Sequence, residues 1–280
     1  MKILDGKKIA NSIQQDLKRR IAKFDGQPCL AIILIGDDLG SHIYVSLKEK
    51  AANKVGIKIK KYLLPVTISQ REIIDIIESL NINNEVNGIL VQFPLPKNVD
   101  EDIIIASIEP KKDVDGFHPE NIKLLLKGKE CLIPGLAEGV VILLEETKEI
   151  LLGKKAVVLA NSEVFSKPLE YLLKQKEMEV EVSHPDKDNY KEVLLQADIV
   201  IAVLGRPNFI KEGMIKKDAI IIDVGYNLVD NKAIGDVDYE SAKNKVSWIT
   251  PVPGGVGPMT VAMLLKNVVR AYEKQKSLNI

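Results

Sequence analysis

The sequence predicts an α/β protein in which helices cover parallel sheets. Continuous apolar runs of strand length, of which Cys29–Ile35 is the clearest, are typical of strands buried on both faces. Segments with helical spacing separate these runs, and the alternation occurs twice, over residues 7–92 and over residues 156–274. Each half is therefore expected to form a parallel sheet with right-handed crossovers, and 280 residues suit two domains or one large α/β domain.

The first half should contain a helix followed by alternating strands and helices. The pattern predicts a helix over residues 7–24, and Gly26-Gln27-Pro28 ends it. Ser41 is the expected N-cap of the next helix, and the lysine-rich strand Gly56–Leu64 should lie near a sheet edge. The other predicted elements are a helix with a capping box from Ser69 to Leu80, a strand over Val86–Gln92, a helix over Asp100–Ile108 and a turn segment over Pro110–Pro119.

The second half should form a doubly wound sheet. A helix over Gly135–Ile150 is expected to lead into it, and a last helix from Gly257-Pro258 to about residue 274 should pack on the core of the first domain. The predicted strands are Ala156–Leu159, Val180–Ser183, Asp198–Leu204, Ala219–Val224 and Val246–Thr250. The predicted helices between them are Val164–Lys176, Asn189–Gln196, Glu212–Ile215 and Tyr239–Asn244.

Composition excludes several classes of protein. Lys plus Arg and Asp plus Glu number 39 each, which argues against nucleic acid or an anionic membrane as the main partner. The two cysteines form no disulfide framework, so a reducing cytoplasm fits best, and the three scattered histidines suggest no metal site. The N-terminus is no signal peptide, and the apolar runs are too short to span a membrane.

Tyr44 and Lys48 lie four residues apart on one predicted helix face, which continues into apolar positions. Taken alone, Lys48 is most simply interpreted as a lysine whose stem covers an apolar patch while its ammonium group stays in water. The alternative is a catalytic lysine on a half-buried face.

Three other segments also have two interpretations. Lys112–Gly116 is either a solvated turn or a place where one carboxylate accepts two parallel hydrogen bonds from an amino-heterocycle. Gln92 either ends a strand without a role or lies where α/β sheets bind ligands. Pro251–Pro258 is either a tight interdomain turn or a backbone that a flat ligand approaches beside a helix N-terminus.

Five motifs together change this balance: Tyr44-x-x-x-Lys48, Val91–Pro96, Lys112–Pro119, Ile222–Gly225 and Ile249–Thr260. In this order, and over essentially residues 1–275, the chain resembles the methylenetetrahydrofolate dehydrogenase/methenyltetrahydrofolate cyclohydrolase family.

The resemblance implies a fold, an assembly and two activities. It implies an N-terminal αβα catalytic domain of residues 1–134 plus 259–280, a Rossmann-like domain of residues 135–258 and a cleft between them. The implied reactions are oxidation of 5,10-methylenetetrahydrofolate with NADP, or with NAD, and hydrolysis of the methenyl product to 10-formyltetrahydrofolate. The implied context is a cytoplasmic homodimer in one-carbon metabolism and purine biosynthesis.

The resemblance also assigns roles. Lys48 matches the catalytic lysine, Gln92 the glutamine paired with it, Tyr44 the tyrosine that stacks on the pterin, and Asp115 the aspartate that holds the pterin amino edge. A lysine whose pKa is lowered by burial can transfer protons near neutral pH, and neither reaction requires a metal. The residues implied beside the folate are Pro253, Gly254 and Gly255.

The cofactor segment departs from the family pattern Gly-Arg-Ser-x-x-Val-Gly-x-Pro. Here Ala160–Pro168 lacks both glycines and the arginine that normally pairs with the 2′-phosphate of NADP, and His184 is followed by Pro185 instead of serine. Asn161 cannot replace a charged fork, so phosphate binding should weaken by about 1–3 kcal/mol unless Lys167 or Lys187 substitutes. The expected cofactor-binding residues are Ala160, Asn161, Ser162, His184, Gly205 and Tyr226.

Three hypotheses follow for the chain's function. The first is a bifunctional enzyme with a weak or NAD-shifted cofactor preference. The second is a cyclohydrolase whose dehydrogenase half is weakened or lost. The third is a non-catalytic folate-binding homologue, against which the intact Lys48, Gln92 and Asp115 argue.

Overall fold

The computed structural model describes residues 1–187, 189–230 and 232–277. The chain divides into two compact units. One consists of residues 11–135 and the described residues from 261 onward, and is called the three-stranded unit after its sheet. The other consists of residues 1–10 and 136–260, and is called the six-stranded unit.

The strands and helices are numbered in chain order. The strands are β1 (Lys2–Ile3), β2 (Cys29–Ile35), β3 (Lys58–Leu64), β4 (Gly88–Val91), β5 (Lys155–Ala160), β6 (Glu179–Ser183), β7 (Ile199–Val203), β8 (Ile220–Asp223), β9 (Asn227–Val229), β10 (Lys232–Ile234) and β11 (Trp248–Ile249). The helices are α1 (Gly6–Ile21), α2 (Leu39–Val55), α3 (Gln70–Ile82), α4 (Glu101–Ser107), α5 (Pro119–Leu126), α6 (Gly135–Glu146), α7 (Glu163–Lys174), α8 (Tyr190–Gln196), α9 (Tyr239–Ala242) and α10 (Val256–Ser277), with a 3₁₀ turn at Glu212–Met214.

The three-stranded unit has a parallel sheet in the order β3-β2-β4. Every residue of β2 is buried, and its side chains alternate between two apolar cores on opposite faces of the sheet. The α10 residues Leu264, Leu265, Val268 and Val269 belong to the same core as Leu30 and Ile32 of β2. The expectations for a buried central strand, a lysine-rich edge strand and a final helix on this core are confirmed.

The six-stranded unit has a parallel sheet in the order β1-β11-β8-β7-β5-β6. The predicted domain boundaries placed residues 1–10 elsewhere, but β1 pairs with β11 in this sheet. The Lys2 N–H donates to the Ser247 carbonyl at 2.7 Å, and the Leu4 N–H donates to the Ile249 carbonyl at 2.9 Å. A strand of only two residues has no measurable periodicity, so its partner could not be inferred from the pattern.

The predicted helix N-caps are confirmed at Ser69 and wrong at Ser41. The Ser69–Glu72 capping box is present, but Asp38 rather than Ser41 caps α2, because its carboxylate accepts the Ser41 N–H at 2.7 Å. Ser41 therefore lies in the first helical turn, where it is buried. The β9–β10 hairpin and α5, which His118 caps, were not predicted. Among the described residues no helix is long and apolar enough to cross a membrane.

Candidate active site

The topology of the three-stranded sheet creates a candidate ligand site at the carboxyl ends of β2 and β4. The chain leaves β2 for β3 on one side and returns to β4 on the other, and ligands of open α/β sheets bind at such switch points. Gln92 follows β4 there, and its backbone N–H extends the ladder by donating to the Ile33 carbonyl at 2.9 Å. This placement favours the functional interpretation of Gln92.

Lys48 and Gln92 meet at this edge. The Lys48 Nζ donates to Gln92 Oε1 at 2.8 Å, and Gln92 Nε2 donates to the Phe93 carbonyl at 2.7 Å. These two bonds fix the orientation of the amide, since an ammonium group requires an acceptor and a carbonyl requires a donor. The interpretation of Lys48 as a lysine with its ammonium in water is therefore wrong. Tyr44 lies one turn earlier on α2 and is partly buried.

The charge of Lys48 is poorly solvated. Burial lowers the pKa of its ammonium, and the nearby negative charge of Asp115 opposes that shift in part. The same environment raises the pKa of Asp115 through burial, while Lys48 lowers it. Because desolvation is the largest cause in both cases, the site favours the neutral lysine more than water does.

The Asp115 loop is built on a buried scaffold, so the solvated-turn interpretation is wrong. The Asp113 carboxylate accepts the backbone N–H groups of Gly116 and His118 at 3.1 and 2.7 Å, and burial raises its pKa to about 6. Gly116 has a φ of 85°, and a Cβ there would overlap the backbone of Ile133. These restraints fix the backbone next to Asp115.

Lys112 has a structural role in the same loop. Its side chain is buried, and Nζ donates to the carbonyls of Leu80 and Asn83 at 2.9 and 2.8 Å, where α3 ends. Burial lowers the pKa of Lys112 to about 8. Lys112 thus satisfies carbonyls that a helix C-terminus leaves without partners.

The six-stranded sheet has a second switch point, because β6 and β7 flank β5 on opposite sides. A cavity of about 420 Å³ lies at the carboxyl ends of β5, β7 and β8. Four of the predicted cofactor residues line it, namely Asn161, Ser162, Gly205 and Tyr226. The other lining residues are Phe165, Val203, Leu204, Val224 and Gly225.

The remaining residues of the divergent segment lie outside that lining. Ala160 ends β5, and Ser166 is buried within α7, so the extra Cβ of Ser166 does not narrow the cavity, whereas Phe165 does line it. The Asn161 Nδ2 donates to the Leu204 carbonyl at 2.8 Å and joins the loops after β5 and β7. His184 follows β6, and its Nδ1 accepts the Asp186 N–H at 3.2 Å.

Two buried carboxylates lie behind this cavity. Asp223 belongs to the motif Ile222–Gly225, to which the sequence assigned no role, and Asp236 was not predicted. Asp236 accepts the backbone N–H groups of Leu204, Gly205 and Arg206 at 2.6, 3.1 and 2.8 Å. Asp223 accepts those of Gly225, Asp236 and Val237 at 2.9, 3.0 and 2.9 Å, and burial raises its pKa to about 7.

A signal for these carboxylates exists in the sequence. A Cβ on Gly225 would overlap the Asp236 carboxylate, and one on Gly235 would overlap that of Asp223. The Asp-x-Gly and Gly-Asp pairs therefore mark places where a carboxylate packs against bare backbone. Gly205 differs: it needs no such space, but its φ of 64° is one that glycine adopts readily.

The loop of Pro253, Gly254 and Gly255 forms a tight turn in the six-stranded unit. The Gly255 N–H donates to the Pro251 carbonyl at 2.8 Å, and the Gly254 carbonyl accepts the Lys7 N–H at 2.9 Å at the start of α1. A Cβ on Gly6 would overlap the Gly255 carbonyl. Close packing explains Gly6 and Gly255, and a φ of 113° explains Gly254. The place of this loop beside a ligand stays a prediction.

Comparisons with known proteins agree along the whole chain. The tetrahydrofolate dehydrogenase/cyclohydrolase catalytic domain matches residues 4–115, and the NAD(P)-binding domain of that family matches residues 134–276. The bifunctional protein FolD of Campylobacter hominis is 45% identical over 279 residues, which cover 98% of each chain.

Solved structures give the same result. The bifunctional FolD dehydrogenase/cyclohydrolase of Campylobacter jejuni has a TM-score of 0.94 at 40% identity and covers 98% of this chain and 99% of its own. The Trypanosoma brucei enzyme, complexed with NADP cofactor and inhibitor, has a TM-score of 0.93 at 32% identity and covers 99% of this chain and 98% of its own. Among the residues described here, no cluster of His, Cys, Asp and Glu could hold a metal ion. The chain belongs to the tetrahydrofolate dehydrogenase/cyclohydrolase family.

Proposed function

We propose that the chain oxidises 5,10-methylenetetrahydrofolate to the methenyl form with NADP and hydrolyses that product to 10-formyltetrahydrofolate. The observation that carries the hydrolytic half is the Lys48–Gln92 pair, with the lysine desolvated and held 2.8 Å from a neutral acceptor. The match of the NAD(P)-binding domain includes the divergent segment Ala160–Pro168 and favours two activities over a cyclohydrolase alone.

Lys48 moves protons during hydrolysis. A water oxygen attacks the cationic methenyl carbon, and neutral Lys48 takes the proton that the water loses. The resulting ammonium donates that proton to N5 as the bond between N5 and the one-carbon unit breaks. In the same step the hydroxyl of the adduct becomes the formyl carbonyl, and its proton is released to solvent. The lowered pKa of Lys48 makes the neutral form accessible, and Gln92 orients Nζ without adding a charge that would raise the pKa again.

The other site residues hold the folate. Asp115 accepts two hydrogen bonds from the amino edge of the pterin, since a carboxylate matches two parallel donors. Tyr44 stacks on the ring from the same helix face as Lys48.

The residues around the second cavity fit a dinucleotide. About 420 Å³ at a switch point suits a cofactor, and Ser162 at the start of α7 makes no side-chain capping bond, so backbone N–H groups there are available to a pyrophosphate. When bound, NADP supplies the nicotinamide that accepts the hydride. Gly205 leaves the backbone open at the cavity wall, and Tyr226, 47% exposed, lies at its edge.

The experiment for both halves uses purified protein. Methylenetetrahydrofolate with NADP should yield reduced nicotinamide, and methenyltetrahydrofolate alone should lose its absorbance faster than in buffer. No reduced nicotinamide with NADP or NAD would leave only the cyclohydrolase. No acceleration of methenyl loss would overturn the hydrolytic half.

The role of Lys48 has a sharper test on the same helix. Lys48→Met should reduce hydrolysis by about 10²–10⁴-fold because the proton carrier is removed, while folate binding persists. Lys50→Met, two residues along α2 at an exposed position, is the matched control and should keep its activity. Equal rates in the two variants would contradict the role given to Lys48.

We also propose that two copies associate through one face of the three-stranded unit. Leu39, Ile43 and Leu47 form an apolar stripe along α2 and are 74%, 49% and 50% exposed. The edge strand β3 adjoins it, because Lys61 Nζ bonds Glu49 Oε2 of α2 at 2.8 Å, and Leu63 on β3 is 62% exposed. A second copy would cover both the stripe and the strand edge.

Sedimentation measures this association. The wild type should sediment as a dimer at micromolar concentration, and Leu63→Glu should raise the dissociation constant about tenfold or more, because it would bury a carboxylate. Leu228→Glu, at a residue 63% exposed in the other unit, is the control. A wild-type monomer, or equal behaviour of the two variants, would contradict the proposed face.

We place this dimer in the cytoplasm, where 10-formyltetrahydrofolate would supply purine biosynthesis.

A further inference from the structure

Arg206 lies where the loops after β6 and β7 meet. Its Nη2 is 3.3 Å from Oδ1 of Asp186, a residue that follows β6 closely. Arg206 also directly follows Gly205, which lines the cofactor cavity. The Arg206 side chain thus extends from the cavity wall to the loop after β6, which is the second strand of the β5–α7–β6 unit, and places a positive charge there.

Arg206 is held at both ends. Its backbone N–H donates to Asp236 Oδ1 at 2.8 Å, so the buried carboxylate fixes where the side chain starts. Its guanidinium lies 5.5 Å from the ring centre of Phe209, which in turn packs against Tyr190 at 5.6 Å. A guanidinium placed in this way loses little conformational freedom when it binds an anion.

The position of the pair relates to cofactor choice. In doubly wound dinucleotide-binding sheets, the loop after the second strand contacts the adenosine ribose; a carboxylate there binds the 2′-hydroxyl of NAD, and a nearby arginine accommodates the 2′-phosphate of NADP. We propose that Arg206 is the residue that binds the 2′-phosphate in this chain, with Asp186 orienting its guanidinium. This inference rests on the proposed function, because it assumes that the cavity takes a dinucleotide.

The other candidates named by the sequence are placed less well. The Asn161 amide donates to the Leu204 carbonyl and carries no charge. Lys167 Nζ forms an ion pair with Glu163 Oε2 at 2.6 Å along α7. Lys187 follows Asp186 in the loop after β6, and it is therefore the alternative that the experiment must separate from Arg206.

The experiment is calorimetric titration of the full chain with NADP, NAD and adenosine 2′,5′-bisphosphate, which carries the phosphate without a nicotinamide. Arg206→Gln should raise the dissociation constants of NADP and the bisphosphate about 10- to 100-fold and change that of NAD less than threefold. Arg206→Lys should recover part of the loss, because a point charge remains without the bidentate fork. Lys187→Gln and the exposed control Lys217→Gln should bind all three ligands like the wild type.

The possible results separate the hypotheses. If Lys187→Gln rather than Arg206→Gln loses NADP selectively, Lys187 is the phosphate ligand and the inference is overturned. If Asp186→Asn loses NAD selectively while Arg206→Gln leaves NADP unchanged, Asp186 binds the 2′-hydroxyl and the inference is again overturned. If the wild type binds neither dinucleotide, the proposed dehydrogenase function fails and the inference fails with it. If Arg206→Gln binds NADP and the bisphosphate more weakly but NAD as before, the result supports both the dehydrogenase function and the role of Arg206.

Discussion

The two switch points of this molecule share a strand order but differ in how charge is used. At the edge of the three-stranded sheet, the side chains of Lys48 and Asp115 are the groups proposed to act on the substrate, and burial shifts the pKa of each toward its neutral form. At the edge of the six-stranded sheet, two buried carboxylates lie behind the cavity, where Asp223 and Asp236 accept backbone N–H groups. The first site therefore consists of side chains that would contact the substrate. At the second site, buried carboxylates hold the backbone of the loops that line the cavity.

The largest effect expected from this difference is on stability. Asp236→Asn would place an amide NH₂ against donors, because both carboxylate oxygens already accept N–H groups of residues 204–206. We expect a loss of about 2–4 kcal/mol in the free energy of unfolding of the six-stranded unit, and weaker dinucleotide binding. Urea unfolding and calorimetry would measure the two effects.

The control for this variant carries the same charge change at the surface. Asp230→Asn is at an exposed residue with a φ of 50°, a conformation that asparagine also tolerates, so its stability should change by less than about 0.5 kcal/mol. If Asp236→Asn were as stable as Asp230→Asn, the carboxylate would not hold the loop. The rate of methenyl hydrolysis by folded Asp236→Asn should match the wild type, since the groups proposed to catalyse hydrolysis lie in the other unit.

The same difference explains what could be predicted from the sequence. Lys48 and Gln92 were identifiable because the roles proposed for them belong to their own side chains, and because they stand in a recognisable order. Asp236 acts through the N–H groups of residues far from it in the chain, so no local pattern marks it except an adjacent glycine.

Among the secondary structure elements, long buried strands such as β2 were predicted within a residue or two, because an apolar run determines them. The strand β1 and the β9–β10 hairpin were not, because two- and three-residue strands depend on tertiary pairing. The cap of α2 was wrong because Asp38 and Ser41 are both good caps, and the choice depends on where the helix begins.

An intermediate effect should follow from adding charge beside Lys48. Gln92→Glu would bring a carboxylate to the position of an oxygen 2.8 Å from Nζ, and an opposite charge so close raises the pKa of a lysine. Because the proposed hydrolysis needs the neutral lysine, the rising limb of its pH–rate profile should move to higher pH by about one unit or more. At neutral pH the rate should fall about tenfold.

The control for the added charge is Gln15→Glu, at an exposed position of α1 in the same unit, and it should leave the pH–rate profile unchanged. If Gln92→Glu lowered the rate equally at every pH, Gln92 would act by shape alone and not through the charge of Lys48.

The smallest expected effect is on the pH dependence of stability, and it concerns Lys112, a second buried lysine in the same unit as Lys48. Lys112 has its pKa lowered from 10.5 to about 8, yet its Nζ bonds two backbone carbonyls at the end of α3 and, among the described residues, no side-chain acceptor like Gln92. Between pH 8 and 10.5 the unfolded chain binds more protons at this group than the folded chain, so its contribution to stability rises with pH, by at most about 1.4 kcal/mol per unit. Lys112→Met should lack this rise in urea unfolding measured from pH 7 to 10, and it should keep wild-type hydrolysis.

Lys111→Met, at the exposed neighbouring residue, provides the comparison. It should retain most of the alkaline rise, because burial is the largest cause of the lowered Lys112 pKa and the Lys111 charge adds to it less. The same dependence on pH in both variants would mean that the Lys112 ammonium is solvated after all. A loss of hydrolysis in Lys112→Met would place that lysine in the chemistry. Burial of a lysine would then not distinguish a structural role from a catalytic one. The remaining difference between the two lysines would be that Lys48 bonds a neutral side-chain acceptor, Gln92.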